Sequence, residues 1–312
     1  MESLPQGGAG KGVQLVNRRL NILSMAVILV TGASGQLGSE IKRSSKNYFG
    51  YEFIFTDADT LDITDGRKVK EFIKNNFCDW IINCAAYNFV DKAETDFDKA
   101  IQINSYAVKN LADSIRGTDS RLIHFSTDYV FDGASNVPYN EKSPTNPQSA
   151  YGRSKLEGEK SALQHSASMV IRTSWLYSEF GSNFVKSILN KGKVNDPLKV
   201  VFDQTGTPTY AGDLADAVLL IISKVIRNEI AFNAGLYHYS NEGVCSWYDF
   251  ATEIVQEAGL KCRVNPILSK EFPSAVKRPG YSVLDKSKIK ENYGIEIPHW
   301  RTSLKKCMKL LK

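Results

Sequence analysis

A phenol, an ammonium and a hydroxyl are the groups in this sequence best spaced to act together. Tyr151-Gly152-Arg153-Ser154-Lys155 sets a tyrosine and a lysine four apart, so on a helix they share one face, one turn from each other. Of the 14 tyrosines, only Tyr151 has a lysine at that offset. A phenol with a pKa of about 10 is a poor proton donor or acceptor at neutral pH, and a nearby cation stabilises its phenolate. The pair therefore points to proton transfer at an oxygen atom. Ser126-Thr127-Asp128-Tyr129 closes an apolar run just upstream. Thr127 is placed there to offer a hydroxyl to a carbonyl oxygen, a role that competes with simple packing of its methyl group.

A second constellation handles phosphate. Thr31-Gly32-Ala33-Ser34-Gly35-Gln36-Leu37-Gly38 follows one apolar run and leads into a helical pattern. In that context Gly32 permits a tight turn, Gly35 lets backbone N–H groups approach a pyrophosphate, and Gly38 lets the helix pack close to the strand. The helix N-terminus then faces the anion. The spacing, G-x-x-G-x-x-G, is one residue longer than the common dinucleotide fingerprint and is typical of short-chain dehydrogenases. Asp57 falls where an acidic residue accepts a ribose 2′-hydroxyl, which favours NAD over NADP; Asp59, or solvation of a loop, competes for that reading.

These groups need a scaffold that brings distant segments to one edge. Short β-branched runs at Val27–Thr31, Glu52–Thr56, Trp80–Cys84, Leu122–Ser126 and Met169–Arg172 alternate with helical periodicity at Gln36–Lys46, Gly66–Asn75, Asp98–Ile115 and Ser149–Gln164. The pattern predicts an α/β fold, a Rossmann-like doubly wound parallel sheet with its ligand crevice at the carboxyl ends of the strands. Beyond Arg172 the regularity weakens, with Gly/Pro-rich joints at Asn195–Pro197, Gly206–Pro208 and Lys277–Gly280 and helical patterns at Asp213–Val225 and Ser246–Ala258. The expected organisation is a flexible extension at 1–24, with Met25 as the natural start, and a dinucleotide domain at 25–172. That domain is rejoined by about 201–240, and a smaller, discontinuous substrate lobe is made from 173–200 and 241–312.

Composition narrows the function. The 312 residues carry a net charge of +5, of which +2 lies in 1–24, and the remainder is too scattered to suggest nucleic acid. No apolar run is long enough to span a membrane, and 1–24 lacks the apolar core of a secretory signal. The five cysteines and four histidines are dispersed without ligand spacing. The expectation is a cytoplasmic protein with no metal site.

Further motifs carry a resemblance. Cys84-Ala85-Ala86-Tyr87, Val90-Asp91-Lys92-Ala93-Glu94, Ser126 to Gly133, Arg172-Thr173-Ser174-Trp175, Asp203 to Thr209, and Arg278-Pro279 with Ser282 to Asp285 resemble, together with the glycine turn and Tyr151–Lys155, the dTDP-4-dehydrorhamnose reductases, an extended branch of the short-chain dehydrogenases. The likeness covers Met25 to Lys312. It implies reduction of the C4 keto group of dTDP-4-dehydro-β-L-rhamnose by NADPH or NADH, with Tyr151 as proton donor. Lys155 would hold the nicotinamide ribose and tune Tyr151, and Thr127 would polarise the keto oxygen. Thr127, Asp128 and Trp175 would contact the sugar nucleotide. Gly35, Gln36, Leu37, Asp62, Ile63, Ala85, Ala86 and Tyr87 would line the dinucleotide, and the assembly would be a monomer or homodimer. Asn88-Phe89 departs from the Thr-Ala pair often found at that point. Glu40 stands where some members place an acidic residue at a metal-linked dimer contact. Two rivals share this pattern: a nucleotide-sugar epimerase or dehydratase, and a non-catalytic dinucleotide-binding partner similar to the regulatory subunit of methionine adenosyltransferase. Against dehydration, Asp128 is followed by Tyr129 and not by a second carboxylate.

Overall fold

The computed structural model describes residues 25–194 and 197–311; the expectation for 1–24 and much of the joint at Asn195–Pro197 lie outside the described residues. Strand β1 (Ala26–Thr31) is a run of apolar and β-branched side chains that must be covered on both faces. Ile28 and Val30 enter one core and Leu29 enters another on the opposite side of the sheet. β2 (Tyr51–Thr56), β3 (Trp80–Asn83), β4 (Arg121–Thr127), β5 (Ser168–Thr173) and β6 (Gly235–His238) complete an all-parallel sheet in the order β6-β5-β4-β3-β1-β2. The order reverses between β1 and β3, and a crevice opens at such a point outside the carboxyl ends of the strands. Five strands match the expected runs to within one residue at each end; β6 was not anticipated.

Helices α1 (Gln36–Ser44), α2 (Gly66–Asn75), α3 (Ala107–Ser114) and α4 (Ala150–Leu163) follow β1 to β4 in turn. Asp65 caps α2 by accepting from the Arg67 and Lys68 N–H groups, which fixes its start. A short helix, Phe97–Ile101, runs through a π turn at Gln102–Tyr106 into α3. Ser149 caps α4 through the Gly152 N–H, so Tyr151 emerges in the first turn and Lys155 in the second.

Past β5 come α5 (Phe184–Gly192), α6 (Ala211–Ile226), α7 (Trp247–Glu257), α8 (Ser287–Tyr293) and α9 (Trp300–Leu310). α6 packs into the same core as Ile28, Val30 and Leu37. A third core joins Tyr177, Val185, Val200, Tyr210, Phe250, Ile254, Trp300 and Leu304 from widely separated segments. Three small sheets tie those segments together, pairing Leu176–Tyr177 with Thr209–Tyr210, Leu198–Val201 with Val264–Ile267, and Thr205–Gly206 with Cys245–Ser246. Among the described residues no helix is long and apolar enough to cross a membrane.

Candidate active site

The parallel register brings the carboxyl ends of β1 to β5 to one edge, and the expected residues meet there. At the end of β1 the turn is held by backbone contacts, with Ala33 N–H donating to Thr56 O and Gly35 N–H to Gly32 O, both at 3.1 Å. Gly32 has φ +63°, and a Cβ on it would lie 2.5 Å from Ala85 N. A Cβ on Gly38 would lie 2.3 Å from Gly32 O. A Cβ on Gly35 would lie 3.2 Å from Gly32 O and, among the described residues other than its chain neighbours, within 4 Å of no other heavy atom, so the space over it is largely open. Gly35 caps α1 without a side-chain partner, and the first turn of α1 has no acidic residue. Open N–H groups at a helix start, beneath an uncrowded glycine, fit the pyrophosphate of a nicotinamide dinucleotide.

Other residues expected around the dinucleotide are also engaged in structural contacts. Leu37 and Ile63 bury their side chains in the cores on opposite faces of the sheet, leaving only their backbone for a ligand. Asp57 accepts from Ser34 N (3.1 Å) and Ser34 Oγ (2.6 Å), so it braces the glycine turn. Asp62 closes its own turn by accepting from Thr64 N and Oγ1. The Gln36 amide accepts from Asn183 Nδ2 at 2.9 Å, linking α1 to the start of α5. After β3, Ala85 N–H donates to Asn83 Oδ1, Ala86 follows, and Tyr87 is clamped at both backbone groups by the buried side chain of Asn104. Asn104 also donates to Ser154 Oγ on α4 (2.9 Å). Sequence reasoning passed over Asn104, because one asparagine in a helical pattern reads as a surface position. Its π turn is the local signal that it is special.

Thr127, Asp128, Tyr151 and Lys155 are all buried. Lys155 Nζ donates to Phe125 O at 2.6 Å, and burial pushes its ammonium down to about 8. Burial, only partly offset by hydrogen bonding with Thr127, pushes the Tyr151 phenol above its ordinary value. The expected lowering of Tyr151 by Lys155 is thus not seen in this arrangement; the phenol is protonated at rest and gives up its proton only to an oxygen on which negative charge develops. Burial likewise raises Asp128 to about 6, with hydrogen bonds from Ser282 and Thr127 opposing it. Thr127 Oγ1 donates to Asp128 Oδ1 at 3.0 Å. Tyr151 Oη donates to Asn88 Oδ1 at 3.4 Å, so the residue that departs from the usual pattern touches the reactive hydroxyl. Arg278 crosses from the far segment to Asp91 (2.9 Å) and Tyr129 Oη (3.4 Å).

Trp175, just after β5, has φ +48°, a strained conformation for a bulky residue. It stacks on Trp247 with ring centroids 3.6 Å apart and planes 8° from parallel. Glu40 is fully buried in α1 beside Arg43, and burial raises it to about 7. Among the described residues no group of three or more His, Cys, Asp or Glu is arranged to hold a metal ion.

Comparison with known proteins agrees over the whole described body. Residues 25–312 match the family model for the RmlD substrate binding domain. The spore coat polysaccharide biosynthesis protein SpsK of Bacillus subtilis is 40% identical over 285 residues, 91% of this chain and 97% of that protein. A crystal structure of a dTDP-4-dehydrorhamnose reductase from Clostridium acetobutylicum superposes with a TM-score of 0.86 at 44% identity, covering 91% of this chain and 99% of that one. The dTDP-4-dehydrorhamnose reductase of Bacillus anthracis, solved in complex with NADP, has a TM-score of 0.85 at 36% identity and the same coverage.

Proposed function

The chain belongs to the RmlD family, that of the dTDP-4-dehydrorhamnose reductases, and on that premise we propose that it reduces the C4 keto group of dTDP-4-dehydro-β-L-rhamnose, giving dTDP-β-L-rhamnose at the expense of NADPH or NADH. The observation that carries the reading is the meeting of Thr127, Tyr151 and Lys155 in one buried site at the end of β4, beside a glycine turn left open for a dinucleotide. A bound nicotinamide dinucleotide would supply the hydride. Backbone N–H groups at the start of α1 hold its pyrophosphate, and Lys155, with two of its three N–H donors beyond the bond to Phe125, holds the ribose.

Thr127 turns its hydroxyl proton from Asp128 Oδ1 to the keto oxygen. Tyr151 gives its proton to the oxygen as negative charge develops there, a step that contributes about 10²–10⁴-fold. For that transfer the Tyr151 hydroxyl first turns away from Asn88 Oδ1, the acceptor that holds its proton at rest. Trp175 offers its face to the sugar nucleotide, and Arg278, a cation at the rim of the site, meets the diphosphate. Dinucleotide binding belongs to 25–172 together with α6 and β6, and the sugar nucleotide to the segments around the third core. The free cysteines suit a reducing compartment such as the cytoplasm.

Incubation with enzymatically prepared dTDP-4-dehydrorhamnose and NADPH or NADH, with the product identified by NMR, tests the reading. Stoichiometric coenzyme oxidation and dTDP-rhamnose are expected. An epimerised or dehydrated product without net coenzyme oxidation, or no turnover by folded protein, would overturn it.

A further inference from the structure

Beneath the reactive pair lies a buried ion pair that the reaction as described does not use. Glu159 is one turn beyond Lys155 on the same face of α4. Its carboxylate receives both Arg172 Nε (2.8 Å) and Arg172 Nη2 (2.7 Å) from β5, and Ser126 Oγ from β4 donates to Oε1. Both charged side chains are 3% exposed. The remaining Arg172 nitrogen, Nη1, reaches His238 Nε2 on β6 at 3.5 Å, and His238 Nδ1 faces Tyr139 O at 3.1 Å. A guanidinium only donates and a carbonyl only accepts, so this histidine is neutral, with its proton on Nδ1. The Arg172 guanidinium also lies 4.9 Å from the centre of the Phe131 ring.

Such a pair is weak evidence for stability, because taking two charges out of water offsets much of their attraction. Its placement points elsewhere. Three consecutive residues of β4 serve three consecutive needs: Phe125 O takes the Lys155 ammonium, Ser126 Oγ takes the Glu159 carboxylate, and Thr127 presents its hydroxyl to the site. α4 is thereby pinned to β4 at two successive turns, and Arg172 ties the lower turn to β5.

We propose that Glu159 and Arg172 are positioning residues: Arg172 holds the Glu159 carboxylate in place, and Glu159, one turn from Lys155 on α4, sets the place of Lys155 and supports its ammonium. The inference rests on the role given to Lys155 above. The charged and titratable groups around Lys155 are Tyr151 and Glu159 on its own helix, Cys84 after β3, His124 on β4, and Arg172 behind Glu159 on β5. Burial keeps Cys84 a thiol and His124 neutral, which leaves Glu159 as the anion that supports the ammonium.

The test measures the pH dependence of kcat/KM and of NADPH affinity, by fluorescence titration, in Glu159→Gln, Arg172→Met and the double variant, each checked for folding by circular dichroism. Removing the anion lowers the Lys155 pKa further, so in Glu159→Gln the loss of activity and of NADPH binding at high pH moves to lower pH, by about one unit. Arg172→Met leaves the carboxylate unopposed and moves the same limb to higher pH. The double variant lies between Glu159→Gln and the wild type, and it decides the matter if a single variant does not fold. A folded Glu159→Gln or double variant with the wild-type profile, or movement of both single variants in the same direction, overturns the proposal. Failure of the underlying reading is distinguishable, since Lys155→Met would then turn over normally.

Discussion

The two sides of the proposed site are built by different means. On the dinucleotide wall the close contacts are between backbone atoms: a Cβ on Gly32 or Gly38 would run into the main chain of Ala85, Gly32 or Ala33. On the opposite side, backbone hydrogen bonds also join the segments, with Thr205 N–H to Gly280 O and Ser282 N–H to Thr205 O both at 2.8 Å, but the close approach at Gly206 is to side chains. A Cβ on Gly206 would lie 2.7 Å from Trp175 ring atoms and from Ser282 Oγ, and Trp175 itself rests on Trp247. Backbone cannot retreat without moving a strand or a helix, whereas a side chain can change rotamer. The turn is therefore fixed in shape by main chain, whereas the approach at Gly206 can be relieved by movement of the Trp175 ring and Ser282 Oγ against their own packing.

The strongest break in that comparison is expected at the seam, where Tyr151 rises from a helix of the rigid wall toward the substrate. Tyr151→Phe keeps the ring, and hence its edge-on contact with Tyr129, but removes the proton. kcat should fall by about 10²-fold or more with nearly unchanged coenzyme affinity. Lys155→Met should cost both rate and dinucleotide binding. Because the two residues act as a unit, the double variant should lose much less than the product of the single losses. Stopped-flow hydride transfer and coenzyme titration would measure all three. A folded Tyr151→Phe that works at the wild-type rate would remove the tyrosine from the mechanism.

A matched pair of glycine substitutions sharpens the contrast between the walls. Gly38→Ala forces α1 away from the turn, and should cost about 1–3 kcal/mol of stability together with much of the dinucleotide affinity. Gly206→Ala asks only that the Trp175 ring and Ser282 move; it should leave coenzyme affinity intact and raise KM for the sugar nucleotide. Trp175→Ala should do the same. Thermal melts and separate titrations of the two ligands decide the matter, and equal loss of both ligands in Gly206→Ala would show that the second wall is as rigid as the first.

The same difference governs what could be read from the sequence. The dinucleotide wall is a local object: its glycines are spaced along one strand-turn-helix unit, and α2 runs over Gly66–Asn75 as the apolar spacing predicts. Tyr151 and Lys155 were legible for the same reason, being one turn apart on one helix. β6 escaped notice because four edge residues opened by Gly235, at φ +128°, show no usable alternation. On the second side the partners of Trp175 come from around residues 206 to 209 and from Trp247, and no periodicity links them; only the resemblance to known reductases pointed there. Leu37 and Ile63 were assigned to the dinucleotide by that resemblance, whereas their side chains answer to the cores beneath it.

The smallest effect concerns Asp57, whose carboxylate is committed to Ser34 at the rim of the rigid wall. Two roles can be separated. As a brace it holds the turn for either coenzyme; as a negative charge beyond β2 it favours a ribose 2′-hydroxyl and repels a 2′-phosphate. Loss of the brace alone removes hydrogen bonds worth about 0.5–1.5 kcal/mol each, and lowers kcat/KM for NADH and NADPH by the same factor. Loss of the charge raises the NADPH-to-NADH ratio. Ser34→Ala removes one brace bond and keeps the charge, so it should lower both coenzymes equally. Asp57→Ala should lower NADH use by about tenfold and NADPH use by less, because only NADPH gains from losing the repulsion. If the ratio of kcat/KM values is the same in Asp57→Ala, Ser34→Ala and the wild type, Asp57 is a brace and nothing more, and coenzyme choice lies with other residues.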